Sequence, residues 1–392
     1  MRFKKLIYIR YMPLTAKVFA DFHMEEASKS GVEVEYWDFT AIFFKNQFGM
    51  EDSSHLTKTR KFNSYVEIET ALKSEKSLQD TLFISIMTFE ARIGKLYKLL
   101  TKFDCQLAVF GRNMFPLASA NKTSLLDKIL KINFSKLINF IRNRMILKDI
   151  KNGLIKNYDI VFLGGKKGWL GIGNVTFDEI SKAESVKVNS DDYDNYLKLK
   201  DAENLMNHDY IVFLDEYLPL HPDTSLFNIK NVKPQDYYPE LNDYFTEVEK
   251  QFNMPVVIAA HPKANRYKEE DFFDNRKVYF GKTAELSKYA HFVIAHDTTS
   301  INYPIAFNKK LHLITSNNIE DGINSVHQNV LYFSKYLGCN YQYFNKKDKI
   351  NLIDKVNLKN YKNYKFDFQT WPETQNIETS EIFINFLKSN KV

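Results

Sequence analysis

The sequence predicts an α/β protein with two consecutive domains, each a parallel sheet with helices on both faces. Its 392 residues exceed what one ordinary core holds. Short apolar runs alternate with helical stretches, as in parallel sheets. A polar segment near residues 195–207 separates two series of strands. We therefore place an N-terminal domain at residues 1–200 and a C-terminal domain at residues 201–392.

Each domain has the alternation of a Rossmann-type fold. In the first, apolar runs predict strands at Leu6–Ile9, Val32–Phe39, Leu82–Met87, Gln106–Phe110 and Tyr158–Leu163. In the second, strands are predicted at Tyr210–Leu214, Pro255–Ala260, Val278–Phe280, Phe292–Ala295 and Leu311–Thr315. Two such sheets face each other across a cleft in many transferases, and ligands bind at the carboxyl ends of their strands.

Composition excludes some classes of protein. The net charge is a mild +6, and 44% of the residues are hydrophobic, which is typical of globular proteins. No stretch has the apolar length of a membrane span, and the N-terminus lacks the pattern of a signal peptide. These features predict a cytoplasmic protein. Cys105 and Cys339 have no metal-type spacing and are expected to be buried free thiols, with one disulfide between them as the alternative.

The first candidate phosphate site directly follows the strand Pro255–Ala260 and contains His261, Pro262 and Lys263. The His261 imidazole can donate to a phosphate oxygen, and the Lys263 ammonium adds positive charge. Pro262 stiffens the turn. The alternative interpretation is a structural histidine beside a turn-forming proline.

A second candidate phosphate site follows the strand Phe292–Ala295, where Asp297, Thr298, Thr299 and Ser300 open a helix. Asp297 or Thr298 is expected to cap this helix. Hydroxyls and unpaired backbone N–H groups at a helix N-terminus form an anion site. An ordinary helix cap is the alternative, but two such segments in one sheet are more specific than either alone.

These residues carry a family resemblance. The His261-Pro262 dipeptide and the hydroxyl cluster at Thr298–Ser300 resemble the paired HP and S/T motifs of bacterial GT-B glycosyltransferases that use CMP-activated sugars. Sialyltransferases, polysialyltransferases and Kdo transferases of capsule and lipopolysaccharide synthesis have these motifs. The resemblance covers mainly residues 209–316 and implies a GT-B-like fold, with the CMP phosphate held by both motifs. Teichoic-acid polymerases that use CDP-alcohols have a related pairing, so the donor stays open.

Carboxylates after the strand Tyr210–Leu214 are candidates for the chemical step. A transferase needs a base for the acceptor hydroxyl, or a nucleophile if anomeric configuration is retained. Some sialyltransferases of this fold have an acidic pair followed by Gly, whereas this chain has Asp215, Glu216 and Tyr217. We expect Asp215 to carry the step, with Glu216 and Glu90 as reserves. An Asp that caps the next turn is the alternative.

Two further segments are interpreted as loops. The glycine-rich stretch 164–173 lacks the spacing of a P-loop and is expected to be a mobile loop lining the cleft. The acidic run at residues 190–194 lacks the spacing of a Ca²⁺ loop and predicts a solvated connection between the domains. We predict no metal site.

Residues 122–156 are basic and amphipathic. They contain nine basic and two acidic residues, and apolar residues recur at helical spacing. Such a helix can lie on an anionic membrane surface, which suits a lipid-linked acceptor on the inner face of the cytoplasmic membrane. A core-packed helix with a solvated basic face is the alternative. Nucleic acid is not expected, because no known binding module appears.

The function expected from these features is transfer of a nonulosonic acid or Kdo-type sugar from a CMP-activated donor to a surface-polysaccharide acceptor. No cofactor is expected beyond this co-substrate, and no metal, because His261, Lys263 and a helix dipole can neutralise the leaving phosphate. The alternatives are a UDP- or GDP-sugar transferase, a CDP-alcohol phosphotransferase, and a non-catalytic binding module. Inversion or retention of configuration stays open.

Overall fold

The computed structural model of the protein describes residues 1–44, 51–75, 77–116, 144–222, 230–346, 348–352 and 355–389. These residues form two compact units. Those within Met1–Met114, Thr123–Asp191 and Thr370–Val392 form the first unit, and those within Phe115–Lys122 and Asp192–Gln369 form the second.

The first unit is built on a seven-stranded parallel sheet with the order β3-β2-β1-β4-β5-β6-β7. Its strands are β1 Lys5–Arg10, β2 Glu33–Asp38, β3 Lys58–Lys61, β4 Thr81–Ser85, β5 Gln106–Gly111, β6 Ile160–Gly164 and β7 Glu184–Val188. Its helices are Ala16–Asp21, Met24–Lys29, Thr40–Phe43, Tyr65–Ser74, Gly94–Lys102, 144–151, Phe177–Ile180 and Thr379–Lys388.

The second unit is built on a six-stranded parallel sheet with the order β10-β9-β8-β11-β12-β13. Its strands are β8 Ile211–Leu214, β9 Val256–Ala260, β10 Val278–Phe280, β11 Val293–Ala295, β12 Leu311–Thr315 and β13 Tyr341–Tyr343. Its helices are Pro234–Phe252, Thr283–Tyr289, Asn302–Ala306, Asn317–Gly322, Asn324–Leu337 and Leu358–Tyr364, and Asp191–Leu199 leads into it.

Both sheets confirm the predicted α/β fold class with two Rossmann-type parallel-sheet domains. In each, the first strand along the chain lies beside the fourth, which gives the order 3-2-1-4-5-6, continued by a seventh strand in the first sheet. The switch point lies between the first and fourth strands. Central strands are covered on both faces: Leu6 and Tyr8 pack into one core layer, and Ile7 and Ile9 pack into the other. Burial on both faces explains why these strands are continuous apolar runs in the sequence.

The C-terminal segment corrects the predicted domain limits. The chain passes into the second unit at Asp192, near the predicted boundary, but returns to the first at Thr370. The helix Thr379–Lys388, which the sequence reading placed in the second domain, buries Phe383, Phe386 and Leu387 in the first core. Burial of each of these side chains stabilises the fold by roughly 1.5–3 kcal/mol. The hydrophobic pattern of the helix alone does not reveal which of the two sheets the helix covers.

The glycine-rich stretch is packed tightly, contrary to the mobile loop expected. A 3-10 turn at Gly168–Ile172 lies against the end of β5, and Phe89 forms a bridge with Gly173. A Cβ atom on Gly168 would be 2.2 Å from the carbonyl oxygen of Gly111. Glycine is needed here because backbone approaches backbone too closely for a side chain.

Other expectations have different outcomes. The expected loop at residues 190–194 is instead the start of the helix Asp191–Leu199, where Tyr193 and Asp194 are buried. Cys105 and Cys339 are free and buried, as expected. In the ranges that the structure describes, no helix is long and apolar enough to cross a membrane. Most of the basic segment, residues 122–143, lies outside those ranges.

Candidate active site

Three of the predicted site segments meet at the carboxyl edge of the second sheet. Leu214 of β8 pairs with Ala259 of β9 on one side and with Ala295 of β11 on the other. The chain leaves these neighbouring strands at Asp215, His261 and His296. β8 and β11 also flank the switch point, where open α/β sheets bind their ligands. The candidate acid, the His261 turn and the Thr298 turn therefore lie at adjacent strand ends.

Asp215 is a buried carboxylate with several donors around it. Its side chain accepts from the Tyr267 hydroxyl at 3.3 Å and from the His261 backbone N–H at 3.4 Å. The backbone N–H groups of Glu216 and Tyr217 also face it. Burial nevertheless dominates and raises the pKa of Asp215 to about 7. Asp215 thus ties the His261 turn to the end of β8.

The residue after the acidic pair has the backbone conformation of a glycine position. Tyr217 adopts φ 57° and ψ 31°, the left-handed region that glycine reaches without steric cost. Its ring is buried and packs edge-on against Tyr267, with centroids 5.1 Å apart. The resembling motif has Gly at this place, and in this chain packing of the Tyr217 ring against Tyr267 offsets the strain of the left-handed conformation.

Glu216 and Asp297 form a pair of carboxyl groups across β8 and β11. Burial raises the pKa of Glu216 well above its ordinary value, and the charge and hydrogen bond of Asp297 raise it further. Burial also raises the pKa of Asp297, whose Oδ2 accepts from the Asn329 amide at 2.9 Å. The hydrogen bond between the two raises the pKa of Glu216 and lowers that of Asp297, so Glu216 is the group of the pair that favours the proton. The Asp297 side chain therefore contacts Glu216, whereas the sequence predicts Asp297 as part of the second phosphate site.

The His261 turn fixes the tautomer of its imidazole. Nδ1 of His261 accepts the backbone N–H of Lys263 at 3.1 Å. The proton of a neutral ring is therefore on Nε2, which makes that atom a donor. Pro262 and Lys263 are exposed, and His261 is half-buried. A contact with phosphate would use this Nε2–H, and the predicted role of His261 in it stays a prediction.

The hydroxyl segment forms a turn instead of the start of a long helix. Thr298 caps the 3-10 turn Thr299–Ile301 by accepting the Ser300 N–H at 3.2 Å. Thr299 is exposed and Ser300 is half-buried. The helix that follows, Asn302–Ala306, has only five residues. The predicted cap is confirmed at Thr298, but a dipole from such a short helix contributes little.

His296 belongs to the core. Its Nδ1 donates to the Ile314 carbonyl at 2.7 Å, and its Nε2 accepts from the Tyr237 hydroxyl at 2.8 Å. Burial lowers the pKa of His296 to about 4. His296 is therefore neutral at physiological pH. Its two hydrogen bonds fix the end of β11 to β12 and to the helix Pro234–Phe252.

Sequence reasoning missed the residues that hold the candidates in place. Tyr267 joins Asp215 to Tyr238, whose hydroxyl lies 2.8 Å from that of Tyr267. Asn329 is on a helix 32 residues after Asp297. No local spacing connects these side chains, because helices and strands distant in sequence bring them together. Of these features, only the left-handed turn could have been found from the sequence, because Tyr217 stands where the resembling motif has Gly.

Glu90 belongs to the first unit, whereas the other candidate residues belong to the second. It precedes the 3-10 turn Ala91–Ile93, and its carboxylate is 3.2 Å from the Arg92 guanidinium. Its role as a reserve base stays a prediction. Among the residues described, no group of three or more His, Cys, Asp or Glu side chains is arranged to hold a metal ion.

Comparisons with known proteins find similarity in structure and none in sequence. No family model matches the chain, and no curated protein matches it. The calicheamicin glycosyltransferase CalG4 is 8% identical, with 99% of this chain and 98% of that chain covered and a TM-score of 0.49. The glycosyltransferase SnogD from Streptomyces nogalater is 9% identical, with 98% and 99% covered and a TM-score of 0.49. The wall teichoic acid polymerase TagF is 11% identical, with 98% and 82% covered and a TM-score of 0.44.

Proposed function

We propose that the chain is a glycosyltransferase that moves a sugar of the nonulosonic acid or Kdo type from a CMP-activated donor to a surface-polysaccharide acceptor. One observation carries the proposal: the strand order of the second sheet brings the His261 turn, the acidic pair and the Thr298 turn to adjacent strand ends at the switch point. These are the segments whose residues resemble the motifs of CMP-sugar transferases, and Tyr217, which stands where one such motif has Gly, adopts a left-handed conformation that glycine reaches without steric cost.

The donor phosphate is assigned to the His261 and Thr298 turns. Nε2–H of His261 donates to a phosphate oxygen, and the exposed Lys263 ammonium adds positive charge. The hydroxyls of Thr299 and Ser300 supply further donors. Thr298 acts indirectly, since its hydroxyl oxygen caps the turn that holds the other two.

The chemical step is assigned to the acidic pair. The carboxylate takes the proton of the acceptor hydroxyl as the hydroxyl oxygen forms a bond to the anomeric carbon. The bond between that carbon and the phosphate oxygen breaks, and its electron pair leaves with CMP. Asp215 has a pKa of about 7, which suits a base at neutral pH. Glu216 is the more exposed of the two, but its pKa is raised well above the ordinary value by burial and by Asp297, which suits it less to act as a base. If configuration is retained, the carboxylate instead attacks the anomeric carbon.

A thermal-shift panel of CMP, CDP, UDP and GDP tests the donor. CMP should stabilise the wild-type chain most, and His261→Ala should weaken CMP binding by about 1–3 kcal/mol, the cost of a charge-assisted hydrogen bond. Ser300→Ala should weaken it less. The control is His291→Ala, which removes an exposed histidine at the opposite end of the same sheet.

The panel also separates the alternatives. Preference for UDP or GDP would indicate another sugar donor, and preference for CDP would indicate a CDP-alcohol phosphotransferase. Unchanged CMP binding in both His261→Ala and Ser300→Ala would refute the assignment of the phosphate site. Nucleotide binding without hydrolysis or transfer of any CMP-sugar would leave a binding module.

A further inference from the structure

A second His-Pro dipeptide faces the first. His221 and Pro222 lie in the loop after β8, and His261 and Pro262 lie in the loop after β9. The two imidazole rings have centroids 5.0 Å apart and planes at 70°. β8 and β9 are paired neighbours, so consecutive loops bring one histidine each to the same place at the carboxyl edge.

The position of His221 is built by the surrounding structure. After the left-handed residue Tyr217, the 3-10 turn Leu218–Leu220 leads directly to His221. The Asn231 amide donates to the Leu218 carbonyl at 2.7 Å, which fixes this turn from outside. Tyr267 packs against Tyr217 and also donates to Asp215. Because Asp215 holds the His261 turn, one tyrosine connects the supports of both histidines.

We propose that His221 is a second phosphate-binding residue, which with His261 forms an imidazole pair around one phosphate group of the ligand. The proposal rests on the function proposed above in that this phosphate is the one of the nucleotide donor. N–H···O bonds span about 2.7–3.2 Å, so rings at this separation can both reach oxygens of a single phosphate. A protonated imidazole carries a positive charge and binds an anionic phosphate more strongly than a neutral imidazole does.

The tautomer of His261 favours an anion over a metal ion. A metal bound at Nε2 needs a lone pair there, so the proton would have to be on Nδ1. Nδ1 instead accepts the Lys263 N–H at 3.1 Å, and a proton on it would oppose that donor. An Nε2–H donor suits a phosphate oxygen, whereas a metal ion would need a lone pair at that atom.

Binding of cytidine, CMP and inorganic phosphate to the full chain tests the pair. His221→Ala should weaken CMP and phosphate binding about tenfold or more, as loss of a charge-assisted hydrogen bond does, and should leave cytidine binding unchanged. His221→Gln retains an N–H donor and should recover part of the loss. His291→Ala is the matched control, and circular dichroism shows whether each variant is folded.

The outcomes distinguish this inference from the proposed function. If CMP gives no stabilisation but phosphate binds and needs both histidines, the donor assignment is wrong and the imidazole pair stands. Wild-type affinity for phosphate and CMP in His221→Ala and His221→Gln would overturn the pair alone. Stabilisation by Zn²⁺ and not by phosphate, lost in either histidine variant, would overturn it in favour of a metal site. Binding of neither phosphate nor CMP by the wild-type chain would overturn both.

Discussion

Asp215 and Glu216 are adjacent in the chain but have different surroundings. Asp215 is 4% exposed and has donors from Tyr267 and His261. Glu216 is more exposed, and its pKa is raised by burial and by the neighbouring Asp297. The first is suited to accept a proton near neutral pH, and the second to donate one. These surroundings give each carboxyl group a separate test.

Asp215→Asn keeps the shape of the side chain and removes its charge. We expect near-normal CMP affinity and a loss of turnover above ~100-fold, in line with general-base contributions. Glu216→Gln, the matched variant, retains a donor toward Asp297 and should lose less. Single-turnover kinetics with a CMP-sugar measures both. Near-normal turnover in Asp215→Asn would move the role to Glu216 or Glu90, and a sugar adduct in intact-mass spectra would identify a nucleophile.

Asp215 should also make stability depend on pH. Burial raises its pKa from 3.8 to about 7, so the folded protein favours the protonated carboxyl. The stability from this group is fully present below pH 3.8 and is lost as pH rises through about 7. The free energy of unfolding of wild type minus that of Asp215→Asn should therefore fall between these values by as much as about 4 kcal/mol. Denaturant titrations across this range measure it, and a constant difference would contradict the raised pKa.

At the scale of elements, the turn Gly168–Ile172 depends on close approach of two backbones. Gly168→Ala places a Cβ 2.2 Å from the Gly111 carbonyl oxygen, so the turn or the β5 end must move. We expect a loss of stability of about 1–3 kcal/mol, typical of overpacking. Gly94→Ala is the control. Gly94 lies in the helix Gly94–Lys102, and a Cβ there would be 3.4 Å from the Ile146 side chain, which is an ordinary contact distance. Equal thermal stability of the two variants would show that the turn is loose.

Strand position explains which elements the sequence reveals. The predicted strands include both central β1 and central β8, whose residues are buried on both faces. The missed strands are β3, β7 and β13, which form three of the four sheet edges. β3 has the sequence KTRK, with all four residues at least partly exposed. An edge strand faces solvent, so it has no continuous apolar run to detect.

At the scale of the whole molecule, residues 122–156 predict an association with anionic surfaces. The local excess of basic residues exceeds the net charge of the chain. The protein should sediment with anionic vesicles, and less so as salt rises, because screening acts within about 8–10 Å. Charge reversal at Lys128, Lys131, Lys136 and Arg142 should abolish sedimentation. Equal binding to neutral and anionic vesicles would contradict the prediction.

The sequence revealed the candidate groups at strand ends but not their relations. His261, Asp215 and Asp297 could be located because each follows an apolar strand, and parallel strands end at one edge. Three contacts join segments from different parts of the chain: the hydrogen bonds Asn329–Asp297 and Tyr267–Asp215, and the ring contact His221–His261. Those contacts depend on how helices pack, which local periodicity does not determine.

The return of the C-terminal segment to the first unit sets an order of events during synthesis. Phe383, Phe386 and Leu387 complete a core layer that contains Leu6 and Tyr8 of β1, and the Arg2 N–H donates to the Leu387 carbonyl at 2.8 Å. The strand β1 therefore gains this cover only after residues 383–387 have been synthesised. The second unit, whose strands end at Tyr343, has its whole sheet available earlier. Domains usually fold from the N-terminus as the chain emerges, whereas here the later unit can fold first, and the sheet of the first unit stays partly uncovered until the helix Thr379–Lys388 has emerged.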